Sequence, residues 1–207
     1  MGLSNNLHTN EYTHAVQQPA ITIIVVTFNA AEVLEHSLQS ILRQPFTDYQ
    51  LLVFDGQSTD DTIEILQKYN KYISYWQSEP DKGIYDAMNK ALPFIKGKWV
   101  YFLGADDVLL PGFTKLAEQM HDLQTLYYGY CYKGGKRTNK RLTAYEVAKI
   151  NICHQAVFYP TSILLKYKYH IEYVVYADHA LNIQCWGDAG IRKKFIPLGI
   201  ARFNETG

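Results

Sequence analysis

The chain has 207 residues, enough for one substantial domain and too few for two ordinary ones. Hydrophobic residues make up 47% of it and charged residues 19%, the composition of a globular protein with a real core. Basic and acidic side chains balance at 20 each, so no basic field draws in nucleic acid, and an anionic ligand must be held by local geometry or a bound cation.

The first residues, MGLSNNLHTNEYTHAVQQ, are polar and lack the apolar stretch of a signal peptide. Residues 1–19 are expected to form a disordered tail ahead of one domain over 20–207. From Ile21, ITIIVVT is a continuous β-branched run, the mark of a buried parallel strand. Leu34, Leu38, Ile41 and Leu42 then recur at helical spacing until Pro45 closes the segment. Residues 49–54 read as a second strand. Ser58, Thr59, Asp60 and Asp61 offer caps and first-turn carboxylates to a helix carrying Ile63, Leu66 and Tyr69. Residues 72–77 suggest a third strand, and Ile84, Met88, Ala91, Leu92 and Ile95 form a helical stripe. WVYFL, at 99–103, is a fourth strand that runs straight into Gly104-Ala105-Asp106-Asp107, and Pro111 opens a helix with Phe113, Leu116, Ala117 and Met120 on one face. Four alternations of strand and helix predict an α/β fold whose mostly parallel sheet is covered on both faces.

After Met120 the alternation fails. Residues 126–132 and 157–159 look like strands, with KGGKRTNK between them as a turn or loop; a helix around 178–186 and a strand around 194–198 follow. The second half therefore reads as an elaboration of the same sheet. Cys131, Cys153 and Cys185 are scattered and lack CxxC spacing, which argues for a reducing compartment and against a structural zinc or a disulfide framework. No apolar run reaches transmembrane length, so the expected location is cytoplasmic.

In an open parallel sheet, ligands bind beyond the carboxyl ends of the strands. The polar residues there are Thr27 and Asn29 after the first strand, Asp55 after the second, Asp81 and Lys82 after the third, and Asp106 and Asp107 after the fourth. Neither GxGxxG nor GxxxxGK[ST] is present, so a phosphate ligand needs a bridging cation, and Mg²⁺ or Mn²⁺ suits carboxylates plus phosphates. Taken singly, each residue has a plainer explanation. Thr27 and Asn29 can end a strand and cap a helix, Asp55 can form a turn before Gly56, and Asp81 with Lys82 can be a salt-bridged loop.

ITIIVVTFNA, LLVFDGQSTDDT, SEPDKGIYDAMNKAL and GKWVYFLGADDVLLPGF resemble four consecutive motifs of the family-two inverting glycosyltransferases, and DKGIYDAMNKAL is similar to bacterial members that build capsule, exopolysaccharide and lipopolysaccharide. The likeness is strong from Ile21 to Phe113 and runs more weakly through CHQAVFY and YADHALNIQCW to FNETG. The resemblance implies a GT-A fold, with a nucleotide-sugar-binding half over 20–120 and an acceptor-side half over 121–207; relatives commonly continue past FNETG, which leaves both a natural end and a truncation open. It implies transfer, with inversion, from a nucleotide-sugar (UDP-sugar by preference, carrying a hexosyl or N-acetylhexosaminyl group) to a saccharide or lipid-linked saccharide acceptor. Peripheral contact with the inner face of the membrane belongs to the same expectation.

By resemblance, Thr27 and Asn29 lie against base and ribose, Asp55 accepts the uracil N3–H, Asp81 and Lys82 contact the nucleotide, Asp106 meets the ribose or stands behind the metal, and Asp107 ligates Mn²⁺ or Mg²⁺. Gly104 departs from the acidic residue often found two positions before the pair. Asp178 falls on the family's general base, against the plainer reading of a helix N-cap, and His154 with Gln155 falls on a pair facing the diphosphate or the acceptor. Two rivals remain. A sugar-phosphate nucleotidyltransferase wants a basic Gly-rich loop after the first strand, which FNAAEV is not. A degenerate module would bind nucleotide-sugar without transfer.

Overall fold

The computed structural model describes residues 18–138 and 140–204; most of the expected N-terminal tail and the last residues of FNETG lie outside them. Strands β1 (Ile21–Thr27), β2 (Tyr49–Asp55), β3 (Tyr75–Ser78) and β4 (Trp99–Gly104) alternate with helices α1 (Ala31–Leu42), α2 (Thr62–Tyr69) and α3 (Ile84–Ala91). Then come β5 (Val108–Leu109), α4 (Gly112–Ala117), β6 (Thr125–Lys133), β7 (Lys136–Thr138), α5 (Ala144–Val147), β8 (Val157–Pro160), α6 (Thr161–Tyr167), α7 (Ala177–Gly187) and β9 (Arg192–Phe203).

One sheet runs β3-β2-β1-β4-β8-β6-β9-β5, with β7 paired to β6. Strands β1 to β4 are parallel throughout: Ile23 stands beside Leu51 on one side and Tyr101 on the other. β8 is antiparallel to β4, and β6 antiparallel to β8, so β6 again runs with β4, and β9 runs with β6. The carboxyl ends of β1, β2, β4, β6 and β9 therefore share one edge, which carries the polar residues singled out above. Alternate side chains of each strand feed two cores. One packs Ile23, Val25 and Tyr101 under Leu34, Leu38, Leu66, Phe113 and Leu116 from α1, α2 and α4. The other packs Ile24, Phe54 and Phe102 under Met88, Leu164, Leu181 and Trp186 from α3, α6 and α7. Each such buried side chain contributes about 1.5–3 kcal/mol, which is why the apolar strands fix the register of the strand-end carboxylates.

The expected elements of the first half form with small shifts. Residues 70–72 coil into a 3-10 turn, so the third strand starts at Tyr75, and Pro93 ends α3 in a 3-10 turn before Ile95. Ile84, assigned to the buried stripe, is instead 48% exposed. Within KGGKRTNK, residues 133–138 form a hairpin: Gly134 and Gly135 both adopt positive φ, as a tight β6–β7 connection requires.

Candidate active site

The turns after β1 and β2 are locked together. The Asn29 Oδ1 accepts from the Thr59 N–H at 2.8 Å, and its own N–H donates to the Ser58 hydroxyl at 2.8 Å. Asp60 accepts from the N–H groups of Ala31 and Thr62, serving the first turns of both α1 and α2, as a capping residue should. Thr27 is buried, and its hydroxyl has no hydrogen-bond partner among the described residues. Asp55 is 2% exposed; the Ser58 and Ser78 hydroxyls and the Ser58 N–H all donate to its carboxylate, which fixes its orientation. A Cβ built on Gly56 would stand 2.7 Å from the Asp81 carboxylate and 3.3 Å from the Phe28 ring, so the β1, β2 and β3 ends close on one slot. Lys82 is exposed, and its N–H donates to Asp86.

The two residues of the Asp106–Asp107 turn face different ways. Asp107 is fully buried: its Oδ2 accepts from the Gly104 N–H at 3.0 Å and from Gln155 Nε2 at 2.8 Å, while its Oδ1 accepts from the Asn204 N–H at 3.1 Å. Burial pushes its pKa up, and the neighbouring Asp106 charge adds to this against those donors. Asp106 is half-buried and makes no hydrogen bond or ion pair among the described residues. The carboxylate expected to ligate the cation is thus the enclosed one of the pair. A cation needs a carboxylate oxygen open to phosphate and water, and of the two carboxylates only Asp106 is open. Gly104 has its own reason: a Cβ there would stand 2.6 Å from the Asp107 Oδ2, so any side chain would push Asp107 off the Gly104 N–H.

Asp178 lies in the first turn of α7, at the second helical residue; Tyr176 holds the N-cap place and makes no side-chain cap bond, so Asp178 is not the cap. It is 5% exposed and takes four donors or near-donors. Oδ1 lies 2.9 Å from the Tyr85 hydroxyl and 2.8 Å from the His179 N–H; Oδ2 lies 3.0 Å from Asn151 Nδ2 and 3.4 Å from His154 Nδ1. Burial alone would raise its pKa, but the hydrogen bond and charge of His154, with Asn151 and Tyr85, outweigh that and hold the carboxyl below its ordinary value. Tyr85, buried beside that charge, is pushed well above the usual phenol range and stays a donor.

The expected His154–Gln155 pair divides its work. Both sit in a 3-10 turn, His154–Ala156, just ahead of β8; His154 turns to Asp178 and Gln155 to Asp107. The Gln155 carbonyl accepts from Tyr101 at 2.6 Å, which pins the turn to β4. Tyr85, Asn151, Ser78 and Asn204 escaped the sequence reading, and Ser58, read as a cap, instead orients Asp55. Tyr85 had a signal, its place in DKGIYDAMNKAL; Asn151 and Asn204 lie in irregular backbone and had none.

A family described as glycosyl transferase family 2 matches residues 22–196. A "PGL/p-HBAD biosynthesis glycosyltransferase" of Mycobacterium bovis (strain BCG / Pasteur 1173P2) is 34% identical over 202 residues, covering 91% of this chain and 78% of the relative. The poly(ribitol-phosphate) beta-N-acetylglucosaminyltransferase TarP of Staphylococcus aureus (strain N315) is 30% identical over 160 residues, covering 72% of this chain and 48% of TarP. Among solved structures, S. aureus TarS 1-349 in complex with UDP-GlcNAc superposes with a TM-score of 0.77 at 18% identity, over 91% of this chain and 59% of that one. The mannosyltransferase PcManGT from Pyrobaculum calidifontis, in complex with GDP-Man and Mn²⁺, gives 0.68 at 18% identity, over 99% of this chain and 62% of that one. The fold is thus GT-A, and the chain spans about three fifths of these structural neighbours.

Proposed function

The chain belongs to glycosyl transferase family 2, and from that premise we propose that it passes a sugar from a UDP-sugar to an acceptor hydroxyl, with inversion, in bacterial surface polysaccharide assembly. The names of TarP and the mycobacterial relative, and the UDP-GlcNAc bound to TarS, support this reading. The observation that carries it is the division at one turn: adjacent residues His154 and Gln155 bond a carboxylate that is held ionised and a carboxylate that builds the strand-end turn.

The residues fit a divalent cation, Mn²⁺ or Mg²⁺, at Asp106, whose open carboxylate stands on the strand-end turn that buried Asp107 closes onto the Gly104 N–H. Bound there, such an ion supplies charge neutralisation for the departing diphosphate. Thr27, Asn29, Asp55 and Asp81 form the nucleotide slot; Asp55, oriented by two serines, accepts the N3–H of uracil, and Lys82 reaches the nucleotide from the exposed rim. Asp178 takes the acceptor proton. The acceptor hydroxyl enters by displacing the long 3.4 Å contact from His154, the weakest of the four around that carboxylate. Its oxygen bonds to the anomeric carbon from the face opposite the diphosphate, and the electron pair of the broken C–O bond leaves with the phosphate.

A panel of UDP-, dTDP- and GDP-sugars, each with Mn²⁺ and a saccharide acceptor, tests the proposal by release of free nucleotide. Acceptor-dependent release from a UDP-sugar is the expected result. Tight UDP binding with no turnover on any donor would instead mark a binding module.

A further inference from the structure

The segment before Asp178 is at odds with its backbone. Residues 171–176, Ile-Glu-Tyr-Val-Val-Tyr, form turns, where Gly, Asn, Asp, Pro and Ser usually stand and β-branched residues fit poorly. Yet Tyr173 is 51% exposed, Val174 78%, Val175 66% and Tyr176 63%. Of the 13 large exposed hydrophobic residues among the described ones, five lie in this stretch, which sets it apart from scattered surface apolar groups. It is also tied to the candidate base. The Tyr85 hydroxyl lies 3.0 Å from the Val175 carbonyl oxygen and 2.9 Å from Asp178 Oδ1. Ile84, next to Tyr85 at the start of α3, is exposed as well.

We propose that Ile84, Tyr173, Val174, Val175 and Tyr176 bind an apolar group of the acceptor, an alkyl or aryl aglycone lying within about one sugar residue of the hydroxyl that reacts. The inference rests on the reading of Asp178 as the base, since that carboxylate marks where the reacting hydroxyl must come. Val and Ile side chains offer a sugar no hydrogen bond, so a purely polar saccharide gains nothing from them, whereas an aglycone exchanges water for a matched surface. Continuity with the base through Tyr85 favours the acceptor over a partner that merely docks nearby. The two tyrosines add flat faces with polar tips, suited to the junction between sugar and aglycone.

The test is equilibrium binding of methyl, butyl and octyl glucosides, below their micelle concentrations, to the full chain loaded with UDP and Mn²⁺. Affinity is expected to rise by roughly two- to fourfold per methylene over the first few carbons. In Val174→Ser/Val175→Ser the increment from methyl to octyl shrinks, while melting temperature and UDP affinity report that the variant is folded. Asp178→Asn retains the increment, so a failure of the base assignment is read separately, from transfer. Equal affinity for methyl and octyl glucosides in the wild-type chain overturns the proposal. So does an increment untouched by the double variant, or a dimer in sedimentation that the double variant dissolves with no dependence on alkyl length.

Discussion

Asp107 and Asp178 are both buried at the active edge, 0% and 5% exposed, yet their pKa values are pushed in opposite directions. Desolvation raises both, so burial does not separate them. Their partners do. Asp107 meets two backbone N–H groups and the neutral amide of Gln155, and it has the charge of Asp106 beside it. Among the described residues no carboxylate pairs with Asp178, and its donors include His154, whose positive form pairs with it. One arrangement tolerates a proton and uses the carboxylate as a structural acceptor; the other keeps the carboxylate ionised. The lesson is that adjacency to an active edge does not define a reactive carboxylate, whereas the charge and number of its donors do.

The comparison breaks most visibly at Asp178→Asn. Asparagine keeps the size, and its amide oxygen can accept from Tyr85 and the His179 N–H, while its N–H₂ is met once Asn151 turns its own amide oxygen round. It takes no proton at neutral pH, so single-turnover transfer is expected to fall by about 10²–10⁴-fold, with UDP affinity near wild type and a small loss of melting temperature. Transfer at the wild-type rate in the folded variant would move the base elsewhere.

The pair at the β4 end separates next. Asp106→Asn is expected to weaken UDP binding in the presence of Mn²⁺ by roughly tenfold to a hundredfold, as chelation does, with little change in stability. Asp107→Asn places an amide N–H₂ among three donors. Its main expected effect is a loss of about 1–3 kcal/mol of stability in thermal or denaturant melts. If Asp107→Asn lost cation dependence while Asp106→Asn kept it, the assignment would be reversed.

In the slot, Asp55→Ala should cost on the order of 1.5–3 kcal/mol in UDP affinity and erase the preference for UDP over CDP, since cytosine has no N3–H to donate. Titration calorimetry with both nucleotides decides it, and an unchanged preference contradicts the role.

The smallest effect sharpens the contrast. The carboxyl of Asp178 is held below its ordinary value, so its share of stability is present above the unfolded carboxylate value and is lost as pH falls through the lower folded value. The acid limb of the transfer rate lies equally low. His154→Gln removes the charged donor and leaves burial less opposed, so the limb is expected to move to higher pH by about one unit or less, read from rate–pH profiles. A downward shift would contradict the sign.

Much of the donor half was legible because β1 and β4 are unbroken apolar runs and the helices between them keep a 3.6-residue stripe. The set of strand-end carboxylates followed from that alternation. What was not legible was which carboxylate of the Asp106–Asp107 pair is sealed. That depends on Gln155 and Asn204, 48 and 97 residues further along the chain, and on Gly104 leaving room for the fold-back. The ionisation of Asp178 likewise hangs first on His154, then on Asn151 in irregular backbone and on Tyr85, 93 residues earlier. β9 was read as a short strand because its exposed and buried positions do not alternate cleanly, and α5 was passed over although Thr143 and Glu146 form a capping box.

The central claim is that the fold holds one buried carboxylate ready to accept a proton and uses the other as scaffold. Carbon-13 NMR titration of the aspartate carboxyls tests it most directly, with Asp107→Asn and Asp178→Asn assigning the two signals. The account predicts that the Asp178 signal titrates below the ordinary aspartate value and the Asp107 signal above it. Signals that titrate together, or in the reverse order, would contradict it.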